Sequence, residues 1–187
     1  MGQSRKWTVS VNKIKMLQFT TMALMITIAM VLSYFERFIP LINVPGVKLG
    51  LANIVTLLAL YLFDFKQTLI IVVLRVLLVS MFTGSPISLI YSMSGGLVSL
   101  IGMKLLLLTS TKVFSLIGIS IIGAFLHNTA QAIVLGLLIN SFSIARVYYP
   151  ILIVAAVVTG FLTGLIGRQF MKQIEYTPLK GKRRYPI

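Results

Sequence analysis

Two stretches of this chain carry side chains that can do chemistry in unusually apolar company. Arg75 stands between TLIIVVL and VLLVSMF, with no acid in its own apolar run. His127, Asn128 and Gln131 stand together in HNTAQ. A guanidinium presents five N–H donors in a planar fork that suits a carboxylate or a phosphate. An imidazole can donate or accept, and two amides can orient what it touches. His127 and Gln131 are four residues apart and share a helix face; Asn128 adjoins Gln131 at three apart, and Ser120 and Ala124 continue that face with small side chains. Such groups are costly inside a bilayer and need a partner, a watery cavity or a ligand. One reading is structural: Arg75 bonds to backbone carbonyls or to one of three acids, and the 127–131 amides tie helices together. The other is a pocket for an anion. Acids are scarce, and Glu36 and Asp64 are expected near opposite surfaces with Glu175 in the C-terminal tail, so the anion pocket is the reading preferred for Arg75.

A third stretch, KLGLANIVT at 48–56, opens an apolar segment. Lys48 is placed at its outer end, and Asn53 and Thr56 lie one turn apart. Gly50 lets a neighbouring backbone or a ligand come close. The segment reads either as an interface anchor with a snorkelling lysine or as part of a binding site. The apolar loop ERFIPLINVPGVK before it, with Pro40 and Pro45, is expected to lie in the interface or to fold back over the bundle.

The residues that are missing narrow the chemistry. The chain has no Cys, one His, and three Asp and Glu together in 187 residues. No disulfide, Cys-ligated zinc site or thiol chemistry is possible, and acid–base or two-metal catalysis has almost no raw material. There is no GxxxxGK[ST] to bind a nucleotide and no aspartate-rich cluster to hold magnesium on a diphosphate. No enzyme, metal or cofactor is therefore expected.

The elements that must position these groups are membrane helices. Hydrophobic residues make up 58% of the chain and charged ones 11%, against about 25% charged in a typical soluble domain. The apolar runs have the length of bilayer spans, and the reading is an all-α polytopic membrane protein with six of them. They cover about 16–35, 49–63, 67–82, 87–108, 113–139 and 149–166, within one membrane domain over 16–167. Basic tails flank it at 1–15 and 168–187. The net charge of +14 would point to nucleic acid in a soluble protein; here it lies in the tails and the loops of one side, so no nucleic-acid partner is expected. Thirteen of the basic residues fall on the side of the tails and three, Arg37, Lys48 and Arg146, on the other. The positive-inside rule then puts both termini in the cytoplasm. Small residues let helices approach in lipid, and they recur as Ser85, Ser88, Ser92, Gly95, Ser99 and Gly102, with Gly96 beside the stripe, and as Ala156, Gly160, Gly164 and Gly167. Ala23 and Thr27 form a small-xxx-small pair in the first span.

VPGVKLGLANIVTLLALYLF, LRVLL, SLIYSMSGGLVSL and GAFLHNTAQ, in that order, resemble the Gx transporter family, whose members are often labelled heptaprenyl diphosphate synthase component I. The resemblance covers about 44–167. It also extends to the substrate-binding S-components of energy-coupling factor transporters, six-helix proteins with both tails inside, located in the bacterial plasma membrane. It implies a membrane-embedded substrate-binding and transport subunit for a small anionic, isoprenoid, quinone-related or flavin-related ligand; the resemblance carries over no substrate residues, and the chemistry of the chain itself nominates Arg75, His127, Asn128, Gln131, Lys48 and Asn53 as those that hold it. In those proteins small residues of the first helix contact a coupling membrane subunit bearing ATPases, and Ala23 and Thr27 match that position. The alternative is a non-catalytic membrane accessory subunit of prenyl diphosphate or quinone synthesis.

Overall fold

A computed structural model describes residues 2–38, 48–84, 86–109 and 114–174. Pro40, Pro45, Ser85, Lys112, Glu175 and the last four basic residues lie outside that set, as do most of the loop expected to fold over the bundle and the side chains of the first fourteen residues. The described residues are all-helical: α1 (Gly2–Phe35), a short 3-10 turn (Glu36–Phe38), α2 (Asn53–Leu62), α3 (Phe65–Thr83), α4 (Pro86–Thr109), α5 (Leu116–Leu138) and α6 (Phe142–Ile174). Helix continues into both of the expected basic tails.

Local chemistry sets several of these boundaries. Asp64 and Gln67 form a reciprocal capping box at the start of α3, Gln67 accepting from the Asp64 amide at 3.1 Å. Ser115 caps α5 by accepting from the Gly118 amide at 3.1 Å. Gly84 ends α3 in the left-handed conformation, at φ 61°, where a residue without Cβ is unstrained.

Five helices are long and apolar enough to cross a membrane: Lys15–Phe35, Phe65–Thr83, Pro86–Thr109, Leu116–Leu138 and Ala145–Gln173. The second helix departs from the full span expected over 49–63. It has 10 residues, about 15 Å of rise, half of a ~30 Å hydrocarbon core. Residues 48–50 are not helical, and Gly50 turns the chain at φ 84° before α2 begins. All ten residues of α2 are buried, and the helix packs on α1, α3, α4, α5 and α6. It is the central post of the bundle, which is why it is apolar on every side.

The remaining helices are arranged with polar groups in and apolar groups out. Leu24, Ile28, Ile70, Leu105, Ile133 and Val154 are exposed, while Ser92, Ser99, Ser120, Asn128, Gln131 and Thr163 are buried. In water this would expose large apolar faces; in lipid it is the stable arrangement. The small-residue stripes act where the helices touch. A Cβ placed on Gly160 would lie 2.5 Å from the Ile121 Cα, and one on Gly164 would lie 2.7 Å from the Ile117 Cα. Backbone therefore rests on backbone between α6 and α5. Ser120 and Thr163 share a hydrogen bond of 2.8 Å across the same seam.

Candidate functional site

The site begins at the five residues that precede α2. The Lys48 amide donates to the Gln131 side-chain oxygen at 3.0 Å, and the Leu51 amide donates to the Glu36 carboxylate. The Asn53 amide donates to the Gly50 carbonyl at 2.9 Å, closing the turn. Gly50 is required twice over. Its φ is positive, and a Cβ there would stand 3.1 Å from the His127 ring. Segment 48–52 is thereby fastened to α5 and to the end of α1, and it brings Lys48 over the middle of the bundle.

α4 supplies the floor. A Cβ on Gly95 would lie 2.7 Å from the His127 ring, and one on Gly96 would lie 3.4 Å from an Arg75 guanidinium nitrogen and 3.1 Å from Val72. The pair of glycines in SMSGGL lets α4 sit between His127 of α5 and Arg75 of α3 with both side chains against its backbone. His127 is fixed from the other side by Gln131, whose Nε2 lies 2.7 Å from the His127 Nε2. A chain of contacts thus runs from the Lys48 amide through Gln131 to the imidazole.

Ser33, Glu36, Lys48, Gly50, Ala52, Arg75, Val76, Val79, Ser92 and His127 enclose one cavity of about 10 Å³, room for about one water. Glu36, Lys48, Arg75 and His127 are each at least nine-tenths buried. Their formal charges are two positive and one negative. Glu36, just beyond the first apolar segment, is driven by burial up to about 7, against the opposing influence of Lys48, Arg75 and the Leu51 and Ala52 amides. The Arg75 Nε, the Ser92 Oγ and both polar atoms of Asn53 are buried and have no hydrogen-bond partner among the described residues. Satisfied interiors leave few such atoms, and those of Arg75 and Ser92 belong to residues that line the cavity, where a polar guest would be stabilised.

A family model described as heptaprenyl diphosphate synthase component I matches residues 25–170. The chain belongs to this family. The component I match begins in α1 and ends in α6, so it contains every residue of the cavity. No curated protein and no solved structure matches the chain.

Within this component I chain, the expected site residues fall into three groups. Arg75, His127 and Lys48 line the cavity together. Gln131 and Asn53 stand directly behind it, Gln131 holding His127 and Lys48 in place. Asn128 does not line it: its Nδ2 donates to the Leu152 carbonyl at 2.9 Å, tying α5 to α6. The expectation that Arg75 has no carboxylate at its depth is corrected by Glu36. Arg75 and Glu36 line the same cavity. Glu36 turns inward beneath segment 48–52 instead of facing the surface. No local signal in the sequence marks it, because its position just past the end of an apolar run reads as a surface position. Ser92 and Ser33 also line the cavity, and small-residue periodicity alone assigns them to packing.

Proposed function

We propose that this chain is a membrane-embedded subunit that binds a small organic anion within its helix bundle for transport. The observation that carries the reading is the buried cavity with two cations, one carboxylate and several unpartnered polar atoms. In this arrangement the Glu36 carboxylate holds the place of the ligand's anionic group. A phosphate or carboxylate entering from outside competes with Glu36 for Arg75 and Lys48, and the cavity widens as Glu36 withdraws. His127, braced by Gln131, offers a neutral or donating contact beside them. Isoprenoid-, quinone- or flavin-related anions are the ligand classes that the family resemblance favours.

A second reading, a non-catalytic accessory subunit of prenyl diphosphate synthesis, draws on the family's description. Both readings use the same cavity and differ in the partner: an ATPase-bearing membrane subunit in the first, a soluble synthase in the second. We place the chain in a bacterial plasma membrane with both termini in the cytoplasm.

The test is purification of the intact protein in a mild detergent, with native mass spectrometry of its bound small molecules and proteins. Wild-type protein should retain an anionic ligand. Arg75→Gln should fold and lose it by at least about tenfold in affinity, the worth of one charged hydrogen-bonding group. A wild-type protein that retains no anion, or an Arg75→Gln protein that retains it fully, counts against the reading.

A further inference from the structure

The polar cavity has an apolar neighbour. Val79 of α3, which is buried, lines both the cavity and a separate apolar groove of about 420 Å³ between α1 and α3. The two sides of this seam alternate by residue. On α1, Ser33 lines the cavity, while Met30, Val31, Tyr34 and Phe35 line the groove; Glu36, in the 3-10 turn that follows, lines the cavity. On α3, Arg75 faces the cavity and Phe82 the groove. Tyr34 and Phe35, which meet edge to face at 6.2 Å between ring centres, form part of the groove's wall. Val31 and Phe82 are exposed, so the groove opens sideways where lipid would lie.

Two further apolar grooves among the described residues share no lining residue with the cavity. One, between α1, α2 and α6, backs onto Leu51 and is separated from the cavity by the backbone of segment 50–52. The other lies between α5 and α6 around Arg146 and shares no residue with it.

We infer that the ligand is a single-chain amphiphilic anion, with its head group between Arg75, Lys48 and His127 and its apolar chain passing Val79 into the groove between α1 and α3. This deepens the proposed function and rests on it for the head group. The charge excess of the cavity selects the head, and the apolar lining of the groove selects the chain. A cavity of ~150 Å³ admits a benzene, so this groove suits on the order of 15 carbons. That is one chain. A two-chain bilayer lipid would leave its second chain without a place, and its head would have to leave the interface for the interior of the bundle. The junction at Val79 also gives the ligand a lateral route, in which the head follows the chain in between α1 and α3.

The experiment measures binding of farnesyl phosphate and butyl phosphate to the full-length protein in phosphatidylcholine nanodiscs, by calorimetry and thermal shift. Farnesyl phosphate should bind at least about a hundredfold more tightly than butyl phosphate, since each additional buried methylene strengthens binding about fourfold and burying only about four of the additional carbons already gives that factor. Val31→Trp fills the groove from an exposed position, and should weaken farnesyl phosphate at least about tenfold while leaving butyl phosphate unchanged. Val79→Phe narrows the junction and should do the same; should it fail to fold, Val31→Trp carries the test. Phosphatidylglycerol should not displace the probe. Equal binding of the two phosphates, or no effect of Val31→Trp, overturns the chain path and leaves the head-group site standing. Displacement by phosphatidylglycerol at equal affinity overturns the single-chain assignment. If neither phosphate binds, or if Arg75→Gln leaves farnesyl phosphate binding intact, the polar cavity and this inference fall together.

Discussion

At the residue scale the decisive side chain is Glu36, because its charge state sets the balance of the cavity. Lys48, Arg75 and His127 face it from segment 48–52, α3 and α5, and none of them outweighs the cost of burying the carboxylate, whose pKa rises from 4.5 to about 7. The folded protein therefore holds this proton more tightly than the unfolded chain does. The stability contributed is complete below about 4.5 and is lost as pH rises through about 7, on the order of 1–3 kcal/mol across the window. Glu36→Gln removes the titration. Wild-type protein in detergent should melt at a lower temperature at pH 8 than at pH 5, and the variant should show a smaller difference; parallel curves would rule out Glu36 as the source. Of the cavity's charged groups, Arg75 and Lys48 were legible in the sequence as polar residues embedded in apolar runs, and so was His127. Glu36 was not. Its depth was judged from the end of the first span, and nothing local announces that the chain turns inward to meet segment 48–52. Asn128 misled for the converse reason: three positions from Gln131 it shares a helix face, yet its amide reaches the carbonyl of Leu152 on the neighbouring helix.

At the scale of elements, what was legible is where helices touch. The small residues Ser92, Gly96 and Ser99 were expected against a neighbour, and all three are buried. The length of α2 was not legible, because hydropathy counts apolar residues and does not register the left-handed turn at Gly50. The glycines also differ in kind, and this is testable. At Gly160 a Cβ meets the Ile121 Cα at 2.5 Å and the Ile121 amide nitrogen at 3.1 Å. Backbone cannot step aside without moving the whole helix, so Gly160→Ala should cost roughly 1–3 kcal/mol through overpacking. At Gly102 the obstacle is the Leu126 side chain, which can change rotamer, and Gly102→Ala should cost less. Thermal unfolding of the two variants side by side checks the order; a Gly102→Ala protein less stable than Gly160→Ala would mean that the α5–α6 seam is not the rigid contact argued for. Gly95→Ala is a third case. Its Cβ would press on the His127 ring at 2.7 Å, so it should disturb ligand binding more than it disturbs the fold.

At the scale of the whole molecule, the all-helical membrane architecture follows from composition and run length: in lipid the backbone is satisfied within helices or closed barrels, and continuous apolar runs of bilayer-spanning length select helices over the short alternating strands of a barrel. The orientation is open to a direct test. The chain has no native Cys, so a single cysteine at Ser141, between α5 and α6, should be labelled by a membrane-impermeant reagent only from outside the cell; labelling from the cytoplasmic side would reverse the arrangement. The partner is a matter of exposed surface. The share of the apolar window buried inside the bundle is 17% for α1, against 39–50% for the other four long helices. α1 thus leaves most of its surface to lipid or to another protein. Ala23 and Thr27 are both exposed on it, and the Thr27 hydroxyl is spent on the Ala23 carbonyl at 3.0 Å, so the patch presents a small, apolar, flat surface on which a second helix can lie closely. Replacing both with Trp keeps the patch compatible with lipid and removes the flatness. If transport is the role, the wild type should bring an ATPase-bearing subunit down from native membranes, and the double variant should melt like the wild type and bind farnesyl phosphate as before, yet bring down at least about tenfold less of that subunit. Retention of that subunit by the double variant would place the contact on another face. A wild-type complex containing a soluble prenyl synthase and no ATPase would replace transport by the accessory role, leaving the cavity and its ligand where they are.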